Sequence, residues 1–214
     1  MNAFLQPSPP LRILVLGIGN LLWADEGFGV RAVEALATGW RFPDTVTLLD
    51  GGTQGLYLLP QVQEADALLV FDAIDYGDAP GTLREVVDDA VPRFMGAKKM
   101  SLHQTGFQEV LSAAELTGKL PGKLVLIGVQ PETLEDFGGS LSSVVREKIP
   151  QTLERALHWL AQWNAPGEAK EGRCENHTDA LSLAAYEAGR PAASCAWRKG
   201  DARFLNLLGE PGAS

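Results

Sequence analysis

Two carboxylates and an imidazole, Glu26, Asp72 and His103, stand at three distant points of this chain. One histidine and two acids leave coordination positions open around a divalent ion of borderline softness, the pattern of a catalytic or exchangeable site rather than a closed structural one. Each residue also has a plainer explanation. Glu26 could stabilise a helix start, Asp72 could bond the loop after its strand, and His103 could serve as a cap. The neighbouring acids Asp25, Asp50 and Asp75 could replace any of the three on spacing alone. Residue types and spacing therefore reach an acidic crevice able to bind a metal, and stop there.

For three such distant residues to meet, a fold must bring them to one edge. Arg12 to Leu16 is a nearly continuous β-branched and leucine run, as in a strand covered on both faces, and Asp25 to Leu36 has helical spacing through Val30, Val33 and Leu36. Thr45 to Leu49 and Ala67 to Phe71 repeat the strand pattern, the first running into "DGGTQG" and the second ending at Asp72. Between them Leu56, Leu58 and Leu59 suggest a helix despite Pro60. Leu83, Glu85 and Val87 alternate like an edge strand, Gly106 to Leu116 reads as a helix, and Leu124 to Val129 as a last buried strand. Ser142 to Trp163 has the spacing of one long amphipathic helix, with Val145, Ile149, Leu153, Leu157 and Leu160 on a face.

This alternation predicts an α/β fold, a mostly parallel sheet of about five strands joined by right-handed crossovers. In such a sheet ligands bind beyond the carboxyl ends of the strands, where strand order reverses. Glu26 follows the first strand, Asp72 ends the third, and His103 sits in the loop leading to the next helix. If strands one and three are neighbours, all three face one crevice.

A chain of 214 residues, 45% hydrophobic, suits one packed domain with an appendage. Residues 1–11 read as a tail, 12–163 as the domain, and 164–214 as a flexible, weakly ordered C-terminal extension, because polar, breaker-rich sequence begins at Asn164. A net charge of −9 without a Lys/Arg cluster argues against nucleic acid as a partner. The N-terminal residues lack a signal-peptide pattern and no window has the apolar length of a membrane span, so a cytoplasmic location is expected. Two cysteines, Cys174 and Cys195, are too few for a disulfide framework; with His177 they also lack the fourth ligand of a zinc site.

"LVLGIGNLLWADEGFGV" invites a dinucleotide-binding reading. Gly17 and Gly19 fit G-x-G-x-x-G and Asp50 imitates the ribose-binding acid, but Leu22 holds the third glycine position. Asp25 and Glu26 moreover occupy the helix start, where they would repel a phosphate. The loop is built for a cation.

"GIGNLLWADEGFGVRAVEAL", "LLDGGTQG", "LLVFDAIDYGDAPGT", "SLHQTGFQEVLSAAELTG" and "LVLIGVQPETLE", in this order, resemble the hydrogenase maturation endopeptidases from about Arg12 to Trp163. Finer details look most like the subgroup serving uptake, membrane-associated enzymes. The resemblance implies a three-layer α/β/α sandwich with a twisted sheet, a usually monomeric protein, and removal of a C-terminal extension from the large-subunit precursor of [NiFe] hydrogenase. It also implies a metal site at Glu26 in "WADEG", Asp72 in "VFDAI" and His103 in "SLHQTG", whose ion is the nickel already installed in the substrate. Glu26 and Asp72 become the catalytic candidates of a peptidase classed as aspartic. A shared proton between carboxylates and an ion polarising the scissile carbonyl are both open as mechanisms.

"DGGTQG" resembles the family's second fingerprint, which makes Asp50, Gly51, Gly52 and Thr53 candidates for substrate binding. A tight glycine turn ending a strand explains those glycines equally well. Residues 164–214 exceed what the resemblance covers, and deletion after Trp163 is expected to spare proteolysis. Two other activities remain open: a noncatalytic nickel-binding assembly chaperone using the same ligands, and an NAD-binding oxidoreductase.

Overall fold

Three strands in this chain are apolar on both faces, and they form the centre of a five-stranded sheet. The computed structural model describes residues 9–92, 102–134 and 136–170, together with Leu183, Tyr186 and Ala188; for residues 102–105 it describes the backbone alone. In chain order the elements are β1 (Ile13–Ile18), α1 (Phe28–Gly39), β2 (Trp40–Arg41), β3 (Val46–Gly52), α2 (Leu59–Glu64), β4 (Ala67–Ala73) and β5 (Leu83–Val87). They continue as α3 (Leu102–Leu116), β6 (Lys123–Val129), α4 (Ser143–Arg146), α5 (Ile149–Gln162) and β7 (Glu168–Ala169).

The large sheet runs β3-β1-β4-β6-β5. All neighbours are parallel except β5 against β6, so the expected edge strand joins antiparallel. The first and third long strands, β1 and β4, are neighbours, with Gly17 paired to Phe71. Because β1 is followed on one side by β3 and on the other by β4, strand order reverses between β1 and β4, and a crevice opens at their carboxyl ends.

Alternation within each strand divides the core into two. Leu14, Leu16, Leu68, Val70, Leu124 and Leu126 pack with α2 and α3 through Val62, Phe107, Val110 and Leu111. Val15, Leu69, Phe71, Val125 and Ile127 pack on the opposite face with α1 and α5 through Val33, Leu36, Leu153 and Leu160. The result is the three-layer α/β/α sandwich.

Several boundaries differ from the sequence reading. The first helix begins at Phe28 rather than Asp25, after a single tight turn over Ala24–Gly27, because Ala24 enters that turn at φ 39° and Asp25 is turned aside to bind another loop. The expected helix from Leu56 opens as a tight turn, Gly55–Leu58, before α2, where Pro60 occupies the first helical turn. The single long helix from Ser142 to Trp163 is two, α4 and α5. Pro150 lies in the first turn of α5, where its missing N–H costs no helical bond, and a continuous helix would have placed it in the interior. α3 begins at Leu102, so His103 is in the helix and not in the loop before it.

The packed unit also runs past Trp163. Ala165 is 2% exposed, β7 pairs antiparallel with β2, and the Lys170 N–H donates to the Gly39 carbonyl. Farther on, the Tyr186 ring lies 5.6 Å from the guanidinium carbon of Arg31 in α1, so the C-terminal segment meets the domain there. Cys174, His177 and Cys195 lie outside the described residues.

Candidate active site at the β1–β4 crevice

The loop after β1 folds on itself through backbone bonds. Asn20 accepts from Leu22 N–H on its side chain and from Trp23 N–H on its carbonyl, and its own N–H donates to the Glu26 carbonyl. Gly19, at φ 136°, permits this: a Cβ there would stand 1.8 Å from the Glu26 carbonyl oxygen. The close approach that a dinucleotide fingerprint reserves for pyrophosphate is thus made by the chain's own backbone. Gly17 serves the helix instead, since a Cβ on it would meet the Gly29 carbonyl oxygen at 2.3 Å.

Gly29 in turn carries the start of α1 onto the crevice. A Cβ there would lie 2.2 Å from the Ile18 carbonyl oxygen and 2.3 Å from that of Phe71. Glu26 precedes Gly29 by less than one helical turn, and Asp72 follows Phe71 directly. The close packing of these backbones therefore brings the loop of Glu26 to the end of the strand that bears Asp72. Glu26 is partly exposed, whereas Asp72 is fully buried.

Asp25 and Glu26 part company. The Asp25 side chain is fully buried and accepts from Glu132 N–H at 2.9 Å, Thr133 N–H at 3.0 Å, Ser142 N–H at 2.7 Å and Ser142 Oγ at 3.0 Å. It fastens the β6–α4 loop to the β1–α1 loop. Trp23 and Phe137 reinforce this with an edge-to-face contact at 5.3 Å. Asp25 is thereby a structural acid. Asp75 has a structural use too, accepting from Gly77 N–H and from the buried amide of Gln130.

The "DGGTQG" segment splits between strand and turn. Asp50, Gly51 and Gly52 belong to the end of β3, paired alongside β1, and Gly52 turns out at φ 44°, its carbonyl accepting from Gly19 N–H at 3.0 Å. Asp50 is exposed as a residue, yet desolvation by the surrounding chain pushes its carboxyl above the ordinary value, with the Gly52 N–H and the Arg31 charge pulling the other way. Thr53 is exposed beside it. Gly55 faces Gly106 near the start of α3, where a Cβ on Gly106 would be 3.4 Å from the Gly55 Cα. His103 stands one turn before Gly106, so the helix start that carries it adjoins this loop. Its side chain lies outside the described residues, and no metal-binding group of three is present among the described ones.

Sequence reasoning missed a row of side chains on the Asp72 face. Asp72 pairs with Gly128, which pairs on its other side with Arg84. The slot above Gly128 is filled by Tyr76, whose hydroxyl oxygen would lie 1.9 Å from a Cβ built there. The available signal was Gly128 itself: a glycine inside the buried run "LVLIGV" marks a close approach. Tyr76 is held by its N–H donating to the Gln130 side-chain oxygen at 2.7 Å.

A family model described as hydrogenase maturation protease matches residues 30–159. The chain is 61% identical to the hydrogenase expression/formation protein HoxM of Azotobacter vinelandii over 194 residues, covering 90% of this chain and 94% of that one. It is 47% identical to the hydrogenase 2 maturation protease of Escherichia coli over 153 residues, 71% of this chain and 92% of that one. Among solved structures, the hydrogenase maturating endopeptidase HybD of E. coli superposes with a TM-score of 0.71 at 43% identity, covering 75% of this chain and 98% of its own. The 194-residue match necessarily includes part of the segment beyond Trp163.

Proposed function

The chain belongs to the hydrogenase maturation protease family, and from that premise we propose that this peptidase removes the C-terminal extension of a [NiFe] hydrogenase large-subunit precursor once nickel has been inserted. In this reading Glu26, Asp72 and His103 contact the substrate's nickel, and one of the two carboxylates doubles as general base toward the attacking water. Asp50, Gly51, Gly52 and Thr53 contact the substrate chain beside it. The protein works as a cytoplasmic monomer; among the described residues no helix is long and apolar enough to cross a membrane.

The observation that carries this reading is the seating of α1 against the carboxyl ends of β1 and β4. It brings a partly exposed glutamate loop and a buried aspartate to the point where strand order reverses. An acid pair at such a point suits a cationic group presented by a substrate, and Gly19 is closed to pyrophosphate by the Glu26 carbonyl.

The test is mass spectrometry of nickel-loaded precursor after incubation with the protein, beside nickel-free precursor. Loss of one defined C-terminal peptide from the loaded form alone is expected. Binding without shortening would replace the protease reading with that of a nickel-carrying chaperone, and absence of binding would remove both.

A further inference from the structure

We propose that the exposed side chains of Leu22 and Phe137 form a docking rim beside the crevice for an apolar surface of the large-subunit precursor; this rests on the placing of the reaction at that crevice above. Five large apolar side chains are exposed among the described residues: Leu22, Leu56, Tyr57, Leu116 and Phe137. Four of them follow the carboxyl ends of strands. Leu22 comes after β1, Leu56 and Tyr57 after β3, and Phe137 after β6, and these strands run parallel, so all four stand at the edge where the crevice opens. Leu116 ends α3 at the opposite edge, from which the chain enters β6. A single exposed leucine needs no explanation, but the gathering of such residues at one edge marks a surface that is covered when the protein works.

The rim is held rigid. β4 lies between β1 and β6 in the sheet, and the loops that follow those two strands join across its end. Trp23 and Phe137 pair as an antiparallel bridge with their rings edge to face, the Gly138 N–H donates to the Leu22 carbonyl at 2.7 Å, and the Asp25 N–H donates to the Thr133 carbonyl at 3.2 Å. The Asp25 carboxylate adds its bonds to residues 132–142. Leu22 and Phe137 nevertheless remain 43% and 44% exposed, so the join fixes them without burying them. Apolar side chains held in this way lose little freedom when a partner covers them. The occupant follows from position. Glu26 lies four residues after Leu22, so a folded precursor that brings its metal to Glu26 comes against the join as well. A stable contact between folded proteins buries about 800 Å² on each partner, more than three site residues supply, and the rim extends the contact beyond the crevice.

The test measures kcat and KM for peptide removal from nickel-loaded precursor by the full-length protein and by Leu22→Gln, Phe137→Gln, the double variant and Leu116→Gln. Melting temperature and sedimentation are recorded for each. The double variant is expected to raise KM about tenfold with kcat near wild type, the mark of binding lost equally from ground and transition states. Leu22→Gln keeps the contact between Trp23 and Phe137, so it is expected to show part of that rise at an unchanged melting temperature; Leu116→Gln is expected to show none. A wild-type KM in the double variant overturns the proposal, as does an equal rise in Leu116→Gln or a loss confined to kcat. A wild-type dimer that the double variant splits into monomers would make the surface an interface between copies and overturn it too. If the wild-type protein leaves the precursor unshortened, the reading of the function fails with it. If wild type cleaves and the double variant matches it, the function stands and the docking rim is withdrawn.

Discussion

Two fully buried aspartates lie at the same sheet edge, and different roles are proposed for them. Asp25, in the loop after β1, is surrounded by three backbone N–H groups and a serine hydroxyl from residues 132–142, and its work is to tie two loops together. Asp72, at the end of β4, lies on the sheet face in a row with Gly128 and Arg84, next to the Phe71 carbonyl against which Gly29 of α1 packs. Burial of an acid does not identify a site. What separates the two in the proposed reading is position: Asp25 fastens two loops, and Asp72 ends the strand beside the point where strand order reverses.

The sharpest way to break this contrast is to neutralise each acid in turn. Asp72→Asn is expected to lower peptide release by about two orders of magnitude or more while the melting temperature stays near wild type; mass spectrometry and calorimetry together check both halves. Asp25→Ala should do the reverse, leaving buried donors without an acceptor at a cost on the order of 1–3 kcal/mol for each. Denaturant unfolding at wild-type stability would show that the loops do not depend on it.

Next in size is the boundary of the domain. A chain ending at Trp163 loses the buried Ala165 and the β2–β7 pair, so it is expected to melt several degrees lower. One ending at Lys170 retains both and should melt near the full-length protein. Deletion after Trp163 is still expected to spare proteolysis where the shorter chain folds, and equal melting of the two truncations would show that the β2–β7 pair adds no stability.

The smallest effect belongs to Asp50. Its folded-state pKa is raised, so its contribution is favourable at low pH and is lost as pH rises through the folded value. Asp50→Asn should therefore be slightly more stable than wild type at neutral pH, and the difference should vanish in acid, below the ordinary carboxylate range. Thermal melts across that range measure it; a variant less stable at neutral pH would mean that Gly52 and Arg31 outweigh desolvation.

Much of this was legible in the residues. Continuous apolar runs in β1, β4 and β6 announced a covered parallel sheet, and the place of Asp72 at a strand end followed from the run before it. Leu22 in place of a third glycine, and acids at a helix start, were enough to turn the loop away from a dinucleotide.

Chain order alone could not choose among Asp25, Glu26, Asp50 and Asp75, because spacing fixes which loop a residue occupies and not which way its side chain turns. Contacts distant in sequence give two of these acids structural partners, Asp25 with residues 132–142 and Asp75 with Gln130. Tyr76 reaches the Asp72 row only because β6 supplies a glycine more than fifty residues later, so its place was decided by the register between strands. The local pattern of apolar residues determined the elements, since burial demands it of each segment separately. The site was left to the tertiary structure, where backbones close enough to require glycine determine which side chains can meet.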